Sequence, residues 1–181
     1  MILPIYTYGN PVLRKVAEPI GRDYPNLSEL IQNMNDTMVH AEGVGLAAPQ
    51  IGLSIRLFVI DLAPFKEDDS ELSEFKVTMI NPEIIEESEE MVAMDEGCLS
   101  IPGISESVSR PEKIKVKYLD ENFEERVVEL DGFRARVVQH EYDHLEGILF
   151  TDKINPLRRQ LIKSKLTNIT KKKVDCKYKI K

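Results

Sequence analysis

The sequence predicts an α+β domain of antiparallel strands and three helices. Apolar residues first recur at helical spacing, then a series of short β-branched segments alternates with turn signals, and helical patterns return near the end. A length of 181 residues suits one domain with a single core, and 42% hydrophobic with 30% charged residues excludes a disordered chain.

The first helix is read from Leu27, Leu30, Ile31, Met34 and Met38, after Asn26 and ending at Gly43. GVGLAAPQIG (43–52) follows as a glycine-rich turn. The run LSIRLFVIDL (53–62) is a buried strand, and KEDDSELSE is an exposed loop. VTMI before Asn81-Pro82 and EIIEE after it read as two short strands. KIKVKYL from Lys113 and ERVVEL from Glu125 form a hairpin about Asp120-Glu121-Asn122. Asp131-Gly132 opens a second helix carrying Phe133, Val137 and Val138, with Gly147 near its end. Asn155-Pro156 caps a third, through Leu157, Leu161, Ile162 and Leu166.

Net charge is −7, but from Arg158 onward ten Lys or Arg face Asp175 alone. The simplest expectation for this tail is a solvated helix face with a frayed end; the sharper one is an electrostatic handle for an anionic partner such as RNA. The opening residues show no basic segment ahead of a sustained apolar run, so a cytoplasmic location is expected, with Cys98 and Cys176 reduced.

Within the second helix lies His140-Glu141-Tyr142-Asp143-His144. Residues i and i+4 share a helix face, so the two imidazoles can converge on one cation while Glu141 stands beside its open position as a base. A third ligand is needed. The extended form with a further histidine fails, because Gly147 matches but Phe150 stands where that histidine belongs, and no glutamate follows Glu146. His40 falls on the first helix and Cys176 in the basic tail. Cys98, in Glu96-Gly97-Cys98-Leu99-Ser100 beside a Pro/Gly turn, is the strongest candidate, with Asp152 the alternative. Three ligands rather than four favour an open, catalytic site over a structural one. A metallopeptidase and a non-catalytic metal-binding module at the ribosome are the competing readings.

GVGLAAPQIG, EGCLS and QHEYDHLEG, in that order and preceded by Gly9-Asn10-Pro11-Val12-Leu13-Arg14, resemble the signature of the peptide deformylases across residues 1 to about 155. The resemblance implies one domain over 1–181, its antiparallel sheets packed around a central metal-binding helix, with a basic C-terminal helix and tail from about 156. The activity implied is hydrolysis of the formyl group from the N-terminal formyl-methionine of new polypeptides. Cys98, His140 and His144 would hold the metal, typically Fe(II), with Zn or Ni able to replace it. Glu141 would shuttle the proton, while the Gln50 amide and the Leu99 N–H would stabilise the oxyanion.

Gly45 would pair with the extended peptide, Glu96 and Gly97 would lie beside it, and Val44, Met94, Phe133 and Val137 would receive the methionine. Arg136 replaces a commonly apolar residue of that pocket, and Ser105 stands where some members carry a substrate-contacting arginine. Arg110 matches a family arginine and is expected to pair with Glu96. Formyl-methionyl nascent peptides are the expected partners, with the ribosome approached through the basic C-terminal helix; a monomer and no membrane are expected.

Overall fold

The computed structural model describes residues 1–181. Its elements are α1 (Leu27–His40), β1 (Gly45–Ala47), β2 (Leu57–Asp61), β3 (Lys76–Glu87), β4 (Met91–Cys98), β5 (Ile101–Pro111), β6 (Lys113–Leu119), β7 (Glu125–Asp131), α2 (Gly132–Leu145), α3 (Pro156–Leu161) and α4 (Lys163–Thr170). Five strands form one antiparallel sheet in the order β1-β2-β3-β6-β7, and β4-β5 is a separate hairpin. No helix is long and apolar enough to cross a membrane.

β2 explains why an uninterrupted apolar run was needed. Successive strand residues face opposite sides. Leu57 and Val59 join the core with Ile31, Met34 and Met38 of α1, while Phe58 and Ile60 join the one with Val137, Val138 and Leu145 of α2. The sheet is thus buried on both faces here, and α2 is held against it as a largely inaccessible helix. A third cluster ties Ile104 and Val108 of β5 to Phe150, Leu166 and Ile169, fixing the hairpin beside the C-terminal helices.

Four local expectations are corrected. Asn81-Pro82 does not separate two strands: β3 runs through it with a register shift between Ile80 and Glu83, and Asn81 takes φ +49°. The irregularity is sustained because the Asn81 side chain accepts from Ile20 N and donates to Ile20 O. The β4-β5 hairpin was not anticipated, since its inward-facing positions include the charged Glu96, Glu106 and Arg110 beside Ile104 and Val108. The third helix is two, interrupted at Ile162.

The tail is not frayed. After Lys172, at φ +57°, it folds back along the N-terminal segment: Ile5 N donates to Lys179 O, Lys181 N to Ile5 O and Thr7 N to Lys181 O.

Candidate metal and substrate site

β4 ends at Cys98 with a shift in pairing after Gly97, which presents the thiol to the His140–His144 face of α2. Cys98 Sγ lies 3.4 Å from His144 Nε2, and the ligand atoms of Cys98, His140 and His144 all fall within 4.8 Å of one another. This set is assembled from elements more than forty residues apart in sequence. Asp152, the alternative third ligand, is engaged elsewhere, accepting from Arg14 Nη1 at 2.6 Å.

His140 Nδ1 lies 2.8 Å from Glu96 Oε1. A carboxylate accepts, so the proton sits on Nδ1 and Nε2 is left as the ligand nitrogen. Glu96 is clamped in turn by Arg110, whose Nε and Nη2 donate at 2.6 and 3.0 Å, and by Arg136 Nη1 at 2.6 Å. Arg110 Nη1 donates to Asp143 at 2.7 Å, and Arg136 also donates to Val92 O and Val108 O. Burial pushes Glu96 up, but the hydrogen bonds from His140 and Arg110 outweigh it and hold the carboxyl far below the usual range.

The donor set fits a divalent cation. One thiolate and two imidazoles make a site of borderline softness with room for a further ligand. Burial and the proximity of His140 keep His144 well below the ordinary imidazole value, so it is neutral and able to ligate. Burial also opposes protonation of His140, yet its hydrogen bonds to Cys98 and Glu96 raise it well above that value, marking a position that favours positive charge. Glu141 is 4% exposed, Oε2 has no partner, and burial lifts the carboxyl to about 7. Its other oxygen lies against Gly45, where an added Cβ would come within 2.5 Å of Oε1.

These groups open on a cleft of about 630 Å³. Val44, Gly45, Phe133 and Val137 line it, as do Glu96 and Gly97. Met94 does not: it shares the face of β4 that carries Glu96 and Cys98 and pairs opposite Val108, but it stands two residues farther along the strand, outside the cleft lining. Arg136 reaches the cleft wall, but its guanidinium is committed to Glu96 and two carbonyls, so no free charge enters the pocket. Ser105 lies on the rim.

Gln50 is fixed because Oε1 accepts from Ala47 N at 2.9 Å, which leaves Nε2 to donate to Ser100 Oγ at 3.1 Å and to face Cys98 Sγ at 3.5 Å. The Leu99 N–H has no partner within the protein. β1 is an edge strand, so its outer backbone groups remain available to an extended peptide.

Two contributions escaped the sequence reading. Asp143, between the motif residues, helps hold Arg110. Asp175, Cys176, Lys177 and Tyr178 border the cleft. Their signal was present: Val174, Cys176, Tyr178 and Ile180 alternate with polar residues, the period of a half-buried strand.

Fold and site together define a hydrolase class with a candidate metal site on an H-E-x-x-H helix and a free edge strand beside it. The model of the polypeptide deformylase family matches residues 2–160. A peptide deformylase of Christiangramia forsetii is 55% identical over 188 aligned positions, covering 100% of this chain and 96% of that protein. The crystal structure of peptide deformylase from Thermus thermophilus superposes with a TM-score of 0.84 at 44% identity, covering 95% of this chain and 99% of that one. The Thermotoga maritima peptide deformylase structure gives 0.78 at 44%, over 86% and 99%. The chain belongs to the polypeptide deformylase family. Its activity is that of the family, removal of the N-terminal formyl group from nascent polypeptides.

Proposed function

We propose that Cys98, His140 and His144 hold the single divalent metal of this deformylase and that Glu141 moves the protons of the reaction. The carrying observation is the convergence of Cys98 on the two motif imidazoles, with His140 oriented through Glu96. A divalent cation there supplies Lewis acidity, polarising the formyl carbonyl and making water a nucleophile near neutral pH. Fe(II) is the native metal in this reading, with Zn or Ni able to occupy the same ligands.

The substrate enters as an extended strand against Gly45 on the free edge of β1, its methionine side chain among Val44, Phe133 and Val137. Glu141 takes the proton of the attacking water and returns it to the departing amine nitrogen. The Leu99 N–H and Gln50 Nε2 donate to the oxyanion that develops on the formyl oxygen. Breaking the C–N bond releases formate and a free methionyl amine. The buried Glu96–Arg110–Arg136–Asp143 cluster takes no proton; it keeps His140 in the ligating tautomer.

The enzyme works in the cytoplasm as a monomer in this reading. The basic face of α3 and α4, which carries Arg158, Arg159 and Lys163, approaches the RNA of the ribosome. Ribosome binding that ignores salt, or survives neutralisation of that face, would remove this last element.

The test is anaerobic purification, metal analysis, and formate release from a formyl-Met peptide beside Glu141→Ala. About one metal per chain, with release lost in the variant, is the expected result. Bound metal with no formate, or cleavage of an unformylated peptide, would overturn the assignment.

A further inference from the structure

The returning tail touches the reaction centre at one polar point. Tyr178 packs into the core cluster that holds Met34, Leu46 and Ile51, and its hydroxyl donates to Leu99 O at 2.7 Å. The Leu99 side chain packs against the same core cluster, whereas its backbone carries no other hydrogen bond outside regular structure. Leu99 lies between β4 and β5, its N–H is unpaired, and on one side its side chain borders Gly43, where an added Cβ would come within 2.7 Å of Leu99 Cδ1. The tail is itself tethered on the far side of Tyr178, through the Ile5 and Thr7 hydrogen bonds to Lys179 and Lys181. A hydrogen bond from so anchored a ring fixes the carbonyl end of a residue whose amide end faces the cleft.

We propose that Tyr178 is a positioning residue for deformylation, holding Leu99 so that its N–H points at the developing oxyanion. This rests on the assignment of Leu99 as an oxyanion donor. The ring reaches no reacting atom; it acts through the two backbone dihedrals that separate the Leu99 N–H from the Leu99 C=O. A donor misaligned by a few tenths of an ångström costs the transition state more than the ground state, because the oxyanion exists only in the former. The effect therefore belongs in kcat and not in KM.

The experiment is steady-state formate release by the metal-loaded full chain carrying Tyr178→Phe, with metal content and thermal midpoint measured on the same preparation. A fall in kcat of about three- to tenfold is expected, with KM changed less than about twofold, metal content unchanged and the midpoint lowered by no more than about 5 °C, the stability cost of one hydrogen bond. An unchanged kcat, or a fall that merely tracks lost metal or lost folded protein, overturns the proposal. Ile180→Asp loosens the tether without touching the hydroxyl. It should lower kcat similarly, and adding Tyr178→Phe to it should cost little more; a fully additive loss would overturn the coupling. Glu141→Ala separates the two failures: activity surviving there sinks the site assignment, whereas an inactive Glu141→Ala beside a fully active Tyr178→Phe sinks only the positioning role.

Discussion

Where the β4-β5 hairpin meets α2, Glu96, Arg110 and Arg136 are almost fully buried, and their charged groups are joined at 2.6 to 3.0 Å. Toward β1 the pattern reverses. Glu141 keeps an oxygen without a partner, the Leu99 N–H is free, and β1 offers an unpaired edge. Buried polar groups are ordinarily satisfied, because stripping them of water is costly. In the proposed mechanism, Glu141 and the Leu99 N–H are left for the substrate to satisfy. In that mechanism one side holds geometry and the other performs chemistry, so the same kind of substitution should read out as stability on the first and as rate on the second.

The largest effect is expected on the reactive side. Glu141→Ala should lower kcat/KM by about 10²- to 10⁴-fold while the metal stays bound. Appreciable formate release by a metal-replete Glu141→Ala enzyme would remove the distinction at its strongest point. On the holding side, Glu96→Gln leaves Arg110 and Arg136 buried against a neutral amide. Breaking a buried ion pair costs about 3–5 kcal/mol, and loss of the partner behind a ligating histidine costs about 10- to 100-fold in metal affinity. Denaturant melts and competition with a chelator would register both, and a Glu96→Gln protein as stable and as metal-avid as the parent would show that the network is dispensable.

Gly45→Ala sharpens the contrast, since the new Cβ meets Glu141 Oε1 and its neighbouring atoms. Displacing that carboxylate should cost up to about 10²-fold in kcat, with a stability change nearer 1 kcal/mol than the Glu96 figure. Equal kinetics would mean that Glu141 has room the static geometry does not indicate.

The smallest effect is expected outside the cleft. Burial raises the Asp152 carboxyl, but hydrogen bonds from Arg14 outweigh it and hold it below its ordinary value. Its stabilisation is therefore present above the ordinary carboxylate range and lost as pH falls through the depressed value. The pair is partly solvated, with side-chain exposures of 43% and 25%, so Asp152→Asn should cost at most about 1 kcal/mol at neutral pH. Parent and variant melts should converge in acid; a difference that persists there would mean that Asp152 acts through something other than its charge.

The helices and the central sheet were legible because their apolar residues keep a strict period: Ile31, Met34 and Met38 at helical spacing, and β2 as an unbroken run. The hairpin β4-β5 was not, since three of its inward positions carry charges that pair across the hairpin, Glu96 with Arg110, or with Arg136, Asp143 and Arg158 from other parts of the chain. Local hydrophobicity is a poor guide wherever a buried residue is neutralised from a distance. Met94 lies on the same strand face as Glu96 and Cys98, and only the tertiary structure shows that the cleft does not extend two residues along β4 to reach it. Arg136 read as a disturbance of the pocket for the same lack of partners.

By itself the sequence determined the two-histidine helix, the family and its chemistry, because i, i+4 spacing and contiguous motifs are local properties of the chain. It also contained the alternation that brings the tail back, although a string of lysines obscured it. Only the tertiary structure decided that Cys98 reaches the two imidazoles, that Arg136 turns from the pocket to Glu96, and that Tyr178 comes to rest on Leu99. Each of these joins residues distant in sequence, and such contacts are chosen by the packing of the whole core, which no short segment encodes.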